Sequence, residues 1–183
     1  MTPFRTTVLA SIFTSTTLSL AASLPRNPNV VVCEPNSGCF HHTIFGHDYK
    51  VLSTDRFSVM VFLSTEGRYT RADVSITNLT PAPINLSPGD FHIQALASES
   101  KIFLYVPPSQ VENLATLTRA NVDPEFNEPD TANPHLKAIT IPPNQAVHGR
   151  VYFERDPRAT PQQVDVVLPI AGTIFKFPDV IKP

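Results

Sequence analysis

The chain contains only two cysteines and six glycines, and each shortage counts against a class of site. There is no Cys-x-x-Cys pair, which argues against a thioredoxin-like redox centre. The glycines are scattered, so there is no glycine-rich loop of the kind that cradles phosphate. A Gly-x-Ser-x-Gly motif, the usual sign of a serine hydrolase, is also missing. These absences predict a protein that is not an enzyme and that needs no cofactor.

The chain also lacks a large excess of either charge and lacks a long apolar run. Its 14 basic and 16 acidic residues give a net charge of −2, and the charges are interspersed. This balance does not favour nucleic acid as a partner, and no basic amphipathic helix suits a membrane surface. No segment approaches the roughly 20 apolar residues that a membrane-spanning helix needs. We therefore expect no nucleic-acid partner and no transmembrane segment.

The first 23 residues have the features of an export signal. Arg5 is their only charge, and an uncharged, moderately apolar run ends in the small residues Ala21 to Ser23. The mature protein would be exported to the periplasm or the extracellular space, with a net charge of −3 because one of the 14 basic residues is lost. The predicted organisation is a signal peptide at residues 1–23, an extended linker at 24–29 and a single β-sandwich domain at 30–183.

Cys33 and Cys39 enclose the sequence Glu-Pro-Asn-Ser-Gly, which is rich in turn-forming residues. An even number of cysteines in an exported protein indicates a disulfide. We predict a Cys33–Cys39 disulfide that closes a small loop. Two free thiols, or one reactive thiol, is the alternative.

Nineteen prolines against six glycines favour short strands and stiff turns over long helices. Phe57–Ser64 is apolar on both faces, as a central strand requires, and Tyr69–Asn78 alternates as expected for a strand with one wet face. A capping box at Ser109–Glu112 predicts a helix at about 110–120. About nine strands and one short inserted helix predict an all-β antiparallel sandwich. Six further strands with predicted bounds are Phe91–Ala97, Lys101–Val106, His135–Ile141, Ala146–Phe153, Gln163–Ile170 and Thr173–Phe177.

His41, His42 and His47 form the densest group of potential metal ligands, with Asp48 adjacent to them. Imidazole suits zinc and copper. In a strand, His41 and His42 point to opposite faces, so a shared ion would require a bend in the chain. The alternative is three histidines beside a disulfide with no metal.

Residues 121–134 carry Asp123, Glu125, Glu128 and Asp130 and show no hydrophobic periodicity. Carboxylates suit calcium, but the alternating spacing and central glycine of an EF-hand loop are missing. We predict an exposed, solvated loop, with a calcium site as the less favoured interpretation.

The predicted strand Ala146–Phe153 alternates between residues that should face the core and residues that should face outward. The outward residues are His148, Arg150 and Tyr152. Because Arg and Tyr are enriched at interface hot spots, this row is a candidate partner face. The ordinary wet face of an antiparallel sheet is the alternative.

Two stretches of the chain carry a recognisable pattern. In the first, a strand with an Asn-x-Thr turn at Val74–Thr80 leads to Pro83–Leu86. In the second, Leu136–Pro143 leads through a proline turn to the strand Gly149–Phe153. Together they resemble the immunoglobulin-like domains of exported bacterial proteins of unknown function, over about residues 50–178. The resemblance implies an immunoglobulin-like β-sandwich and export, and it carries over no catalytic residue.

These observations predict an exported, non-catalytic module for binding or for cell-envelope structure, with an unidentified protein or envelope component as partner. A copper- or zinc-binding module on His41, His42 and His47 is the alternative. A hydrolase or inhibitor whose site is assembled from loops is a third, weaker interpretation.

Overall fold

The computed structural model describes residues 29–96, 101–111, 135–155 and 162–181. Within them the chain forms twelve β-strands and two 3-10 turns, which confirms the all-β prediction. The predicted signal peptide, nearly all of the linker, the acidic loop 121–134 and most of the predicted helix lie outside these residues.

The twelve strands differ in length from three to ten residues. The strands are β1 (Asn29–Val32), β2 (Cys39–Ile44), β3 (His47–Ser53), β4 (Phe57–Glu66), β5 (Tyr69–Asn78), β6 (Ile84–Leu86), β7 (His92–Ala95), β8 (Ile102–Val106), β9 (Ile139–Ile141), β10 (Ala146–Glu154), β11 (Gln162–Ile170) and β12 (Thr173–Ile181).

Ten of the strands form one sheet, in the order β1-β12-β11-β7-β8-β10-β5-β4-β3-β2, and β6 pairs with β9 in a separate ribbon. The paired strands are antiparallel except for β1, which runs parallel to β12. The predicted antiparallel arrangement is therefore confirmed. Strands β1 and β2 stand at the two ends of the ten-stranded sheet.

The sheet curls into two layers, and β8 is the strand at which it passes from one layer to the other. Residues Ile102–Leu104 pair with β7, whereas Tyr105 and Val106 pair with β10. The two layers face each other: the rings of Phe57 on β4 and Phe175 on β12 pack edge to face, with centroids 6.1 Å apart. This contact lies in the middle of the core.

The core between the layers is built from alternate residues of the long strands, because successive side chains of a strand point to opposite faces. Its apolar members on β4 and β5 confirm the pattern predicted for the hairpin. The largest fully buried side chains include Phe57, Phe91, Phe153, Phe175, Phe177, Leu52, Ile76, Ile93, Leu168 and Ile170.

Long strands match their predicted positions more closely than short ones. Predicted strand Phe57–Ser64 extends to Glu66 in β4, whereas only Ile139–Ile141 of the predicted strand His135–Ile141 is a strand. Where the helix is predicted to begin, Pro108–Gln110 forms a 3-10 turn and Val111 is extended.

In the described parts of the chain, no helix has the length and apolar character needed to cross a membrane.

Candidate functional site

The β2–β3 hairpin presents large apolar side chains to solvent. Its connection is Phe45-Gly46, with φ of 48° and 77°, and such two-residue turns with positive φ at both positions match the twist of the strands they join. Positive φ is rare for a bulky residue. Phe45 nevertheless occupies the first of these positions, and its side chain is 67% exposed. Phe40 on β2 is 52% exposed. The hairpin therefore holds two phenylalanines where they contact no core.

A second turn in the molecule has the same backbone geometry without the aromatic side chain. Ala171-Gly172 joins β11 to β12, with φ of 44° and 81°. Because a non-glycine residue occupies the first position in both turns, positive φ alone does not distinguish Phe45. What distinguishes it is a large apolar ring exposed at that position.

The three histidines predicted as metal ligands all lie on this hairpin, but they do not converge. His41 and His42 point to opposite faces of β2, as predicted from a regular strand. The Nδ1–H of His41 donates to Asp48 Oδ2 over 2.7 Å. The ring of His47 packs on Phe62, with centroids 4.5 Å apart. Across the described residues, no group of three or more His, Cys, Asp or Glu side chains is placed to hold a metal ion.

The predicted Cys33–Cys39 disulfide is present, and it joins the two ends of the sheet. Cys33 directly follows β1, and its N–H donates to the carbonyl of Lys176 on β12. Cys39 is the first residue of β2. We call the junction of these two sheet ends the seam, defined by Cys33, Cys39, Lys50 and Asp179.

An ion pair crosses the seam one strand further in from the β2 end. Lys50 on β3 points toward the core side, and its Nζ lies 2.9 Å from Asp179 Oδ2 on β12. The same ammonium group donates to the carbonyl of Pro178. The disulfide and this ion pair together hold the hairpin against the opposite layer.

The three residues of β10 that form the candidate partner face point away from the core, but most of this row is buried. Tyr152 is 1% exposed and Arg150 is also buried, while His148 is exposed. The ring of His135 packs on Tyr152, with centroids 5.1 Å apart. Only His148 of the three is thus open to solvent.

Arg150 and Tyr152 belong to a buried ionic network that the sequence pattern did not predict. Arg71 bridges two buried carboxylates, with Nη1 3.2 Å from Glu66 Oε2 and Nη2 3.1 Å from Asp73 Oδ2. The hydroxyl of Tyr152 donates to Glu66 Oε2 over 3.2 Å, and Arg150 Nε lies 3.8 Å from Asp73 Oδ1. The expected wet face of Tyr69–Asn78 is therefore wrong at this point: Asp73 is 3% exposed.

Burial and the neighbouring Glu66 carboxylate raise the pKa of the Tyr152 phenol well above its usual range. The phenol therefore stays protonated and remains a hydrogen-bond donor to Glu66. Two carboxylates and two guanidinium groups balance in charge, as buried ions must. The network is therefore a buried polar cluster on the face of β4, β5 and β10 that points away from the main core. Alternating polar residues in β4, β5 and β10 were its only signal in the sequence, and alternation does not reveal burial.

The Asn-x-Thr turn that carried the family resemblance has a structural role. Asn78 is fully buried, and its Nδ2 donates to the carbonyls of Ala82 and Ile141. Its Oδ1 accepts from both the N–H and the hydroxyl of Thr80. One of these four hydrogen bonds joins the end of β5 to Ile141 of β9, and the other three close the turn at Thr80 and Ala82.

The comparisons with known proteins do not assign the chain to a family. No protein-family model matches the chain, and no curated protein matches it. It is similar to the crystal structure of a "putative lipoprotein (ycdA)" from Bacillus subtilis subsp. subtilis str. 168, with 15% sequence identity and a TM-score of 0.48. The match covers 71% of this chain and 38% of that one, so the chain spans well under half of its neighbour's length.

Proposed function

We propose that this protein is an exported, non-catalytic binding module of the cell envelope or extracellular space, and that the β2–β3 hairpin is its contact surface. The observation that carries the proposal is Phe45, which is 67% exposed at a turn position where a bulky residue is unfavourable. Asparagine followed by glycine would suit such a turn better. A large ring retained there at a cost in stability is expected where the ring contacts a partner.

The remainder of the proposal follows from the sequence. The apolar leader at residues 1–23 and the Cys33–Cys39 disulfide favour export to an oxidising compartment, either periplasmic or extracellular. The resemblance at Val74–Thr80 and Gly149–Phe153 favours an immunoglobulin-like classification of the sandwich. An unidentified protein or envelope component is the proposed partner, because Phe40 and Phe45 are apolar contacts of the kind that protein interfaces bury.

The test compares two substitutions in matched turns. Phe45→Asn should increase the free energy of unfolding by about 0.5–1 kcal/mol, because asparagine tolerates positive φ, and should abolish capture of the partner from the native envelope fraction. Ala171→Asn should stabilise by a similar amount and leave capture unchanged. If both variants capture the same proteins as the wild type, the hairpin tip is not the contact surface.

A zinc or copper module on His41, His42 and His47 is the alternative function. It has less support because His41 and His42 point to opposite faces and His47 packs on Phe62. Elemental analysis and metal titration of the purified protein, followed by melting temperature, would test it. A stoichiometric ion that raises the melting temperature and is lost in the triple alanine variant would favour this alternative.

A further inference from the structure

Strand β2 is an edge strand without the usual protection. Cys39–Ile44 contains no Lys, Arg, Asp, Glu or Pro, and its register with β3 is continuous from Cys39↔Leu52 to Ile44↔His47. Natural edge strands commonly carry such charges, prolines or bulges to prevent pairing with another chain. The other sheet end, β1, has only four residues. Within the described residues, β3 is the only strand paired with β2.

The hairpin geometry determines which backbone groups of β2 are available. In a two-residue hairpin the residues that flank the turn, here Ile44 and His47, form a hydrogen-bonded pair. Bonding then alternates along the strand, so the N–H and C=O groups of His41 and Thr43 point away from β3. Residues 40–43 are exposed, which leaves this edge accessible. The Cys39 end is tied to Cys33 and is less open.

We propose that a second copy of this chain pairs with β2 in an antiparallel, two-fold arrangement centred on His42. The proposal rests on the hairpin being the contact surface, and it identifies one partner of that surface. His41 of each copy lies opposite Thr43 of the other, and the outward N–H and C=O groups of these residues form four main-chain hydrogen bonds. Phe40 of each copy lies opposite Ile44 of the other. The two-fold axis makes this contact occur at two places, so the interface is self-complementary.

The charges beside β2 favour this register and this occupant. Asp48 on β3 is paired in register with Thr43, and Lys50 with His41. In the His42-centred register, Thr43 of one copy lies opposite His41 of the second copy. The row of side chains across the four strands is therefore Asp48 and Thr43 of one copy followed by His41 and Lys50 of the other, with opposite charges at its two ends. A register centred on His41 would instead place the two bulky His41 rings directly opposite each other and put Lys50 of both copies, rather than Asp48 and Lys50, in one row. Of these two registers, only the first places unlike charges in the same row across the interface, so charge complementarity favours it.

Cysteine cross-linking tests the register directly. In the proposed dimer, residue 42 faces itself at the short distance of a non-hydrogen-bonded pair, which a disulfide can bridge. His42→Cys should form a covalent dimer on mild oxidation in the presence of a metal chelator. Thr43→Cys, on the same exposed edge, is the matched control and should form little, because the two copies of residue 43 are diagonal to each other and farther apart.

A second variant tests the main-chain hydrogen bonds. Thr43→Pro removes an outward N–H that the monomer does not use, and proline is tolerated on edge strands. Sedimentation velocity over a concentration series should show wild-type mass rising toward that of a dimer, whereas Thr43→Pro should remain monomeric with an unchanged melting temperature. The Thr43→Pro variant retains Phe45, so its capture of another envelope protein is scored separately from self-association.

Three outcomes would overturn the proposal. The first is a wild-type protein that is monomeric at every concentration. The second is equal cross-linking of the His42→Cys and Thr43→Cys variants. The third is a dimer that forms only when zinc is added, since histidine bridging rather than strand pairing would then explain it.

Discussion

Lys50 on β3 and Asp179 on β12 form an ion pair with 2.9 Å between Nζ and Oδ2, across the seam where the two ends of the sheet meet. The aspartate is held in place because its other oxygen accepts from the Val180 N–H. With the Cys33–Cys39 disulfide, this pair makes two connections between layers that no strand ladder joins at that point.

We expect the Lys50–Asp179 pair to contribute measurable coupling. A double-mutant cycle with Lys50→Met and Asp179→Asn should give a coupling of about 1 kcal/mol in the free energy of unfolding, near the upper end for partly exposed pairs, and the coupling should fall in high salt. The same cycle on His41 and Asp48, which are both more exposed, should give less. Equal coupling in the two cycles would contradict a special role for the seam.

Removing the disulfide should destabilise the protein by about 2 kcal/mol, because the bond closes a short loop with a sequence separation of 6 and short loops restrict the unfolded chain less than long ones. The measurement is urea unfolding of the Cys33→Ser/Cys39→Ser variant. Wild-type protein in reductant should match the variant, and the variant itself should not respond to reductant. An unchanged midpoint would mean that the remaining contacts hold the seam without the disulfide.

Tyr152 should make the free energy of unfolding depend on pH in the alkaline range. Its folded-state pKa is raised by burial, so the folded protein holds the phenolic proton more tightly than the unfolded chain does. This contribution is fully present below the unfolded pKa of about 10 and is lost as pH rises toward the folded pKa. Tyr152→Phe should be about 1 kcal/mol less stable at pH 8, from the lost bond to Glu66, and the difference should shrink above pH 10. Parallel pH profiles would argue against this origin.

Breaking the buried ionic network should cost more than losing a surface pair. Arg71→Met leaves Glu66 and Asp73 buried without their shared guanidinium, and removal of one partner from a buried ion pair typically costs about 3–5 kcal/mol. Thermal and urea unfolding would measure the loss. Arg56→Met, which removes an arginine packed over the Phe57 ring, is the control and should cost less than 1 kcal/mol. A similar cost for both would place the network's carboxylates in contact with water.

Replacing the side-chain amide of Asn78 should destabilise the protein. Asn78→Asp removes two buried donor bonds and introduces a charge beside the carbonyls of Ala82 and Ile141, so we expect a loss of about 2–4 kcal/mol. Asn85→Asp is the matched control, because Asn85 is exposed and its Oδ1 accepts a bond from the Thr140 hydroxyl, which a carboxylate oxygen can also accept. Asn85→Asp should change the free energy of unfolding by less than about 0.5 kcal/mol. Comparable losses in the two variants would contradict the role assigned to Asn78.

Local chemistry explains which parts of the fold were predictable. The alternation in Tyr69–Asn78 and the two-sided apolar pattern of Phe57–Ser64 located β5 and β4, because successive side chains of a strand point to opposite faces. The spacing of Cys33 and Cys39 predicted the disulfide. Strands β2 and β3 were not located, because no long run of alternating apolar residues distinguishes them.

The sequence by itself determined the all-β class, the disulfide and the opposite orientation of His41 and His42, since each follows from composition or from the geometry of one strand. Only the tertiary structure decided that Asp73, Arg150 and Tyr152 are buried. Alternation specifies which side of a strand a residue occupies, but burial of that side depends on segments far away in the chain. The same reason explains the seam, because the pairing of Lys50 with Asp179 follows from how ten strands curl.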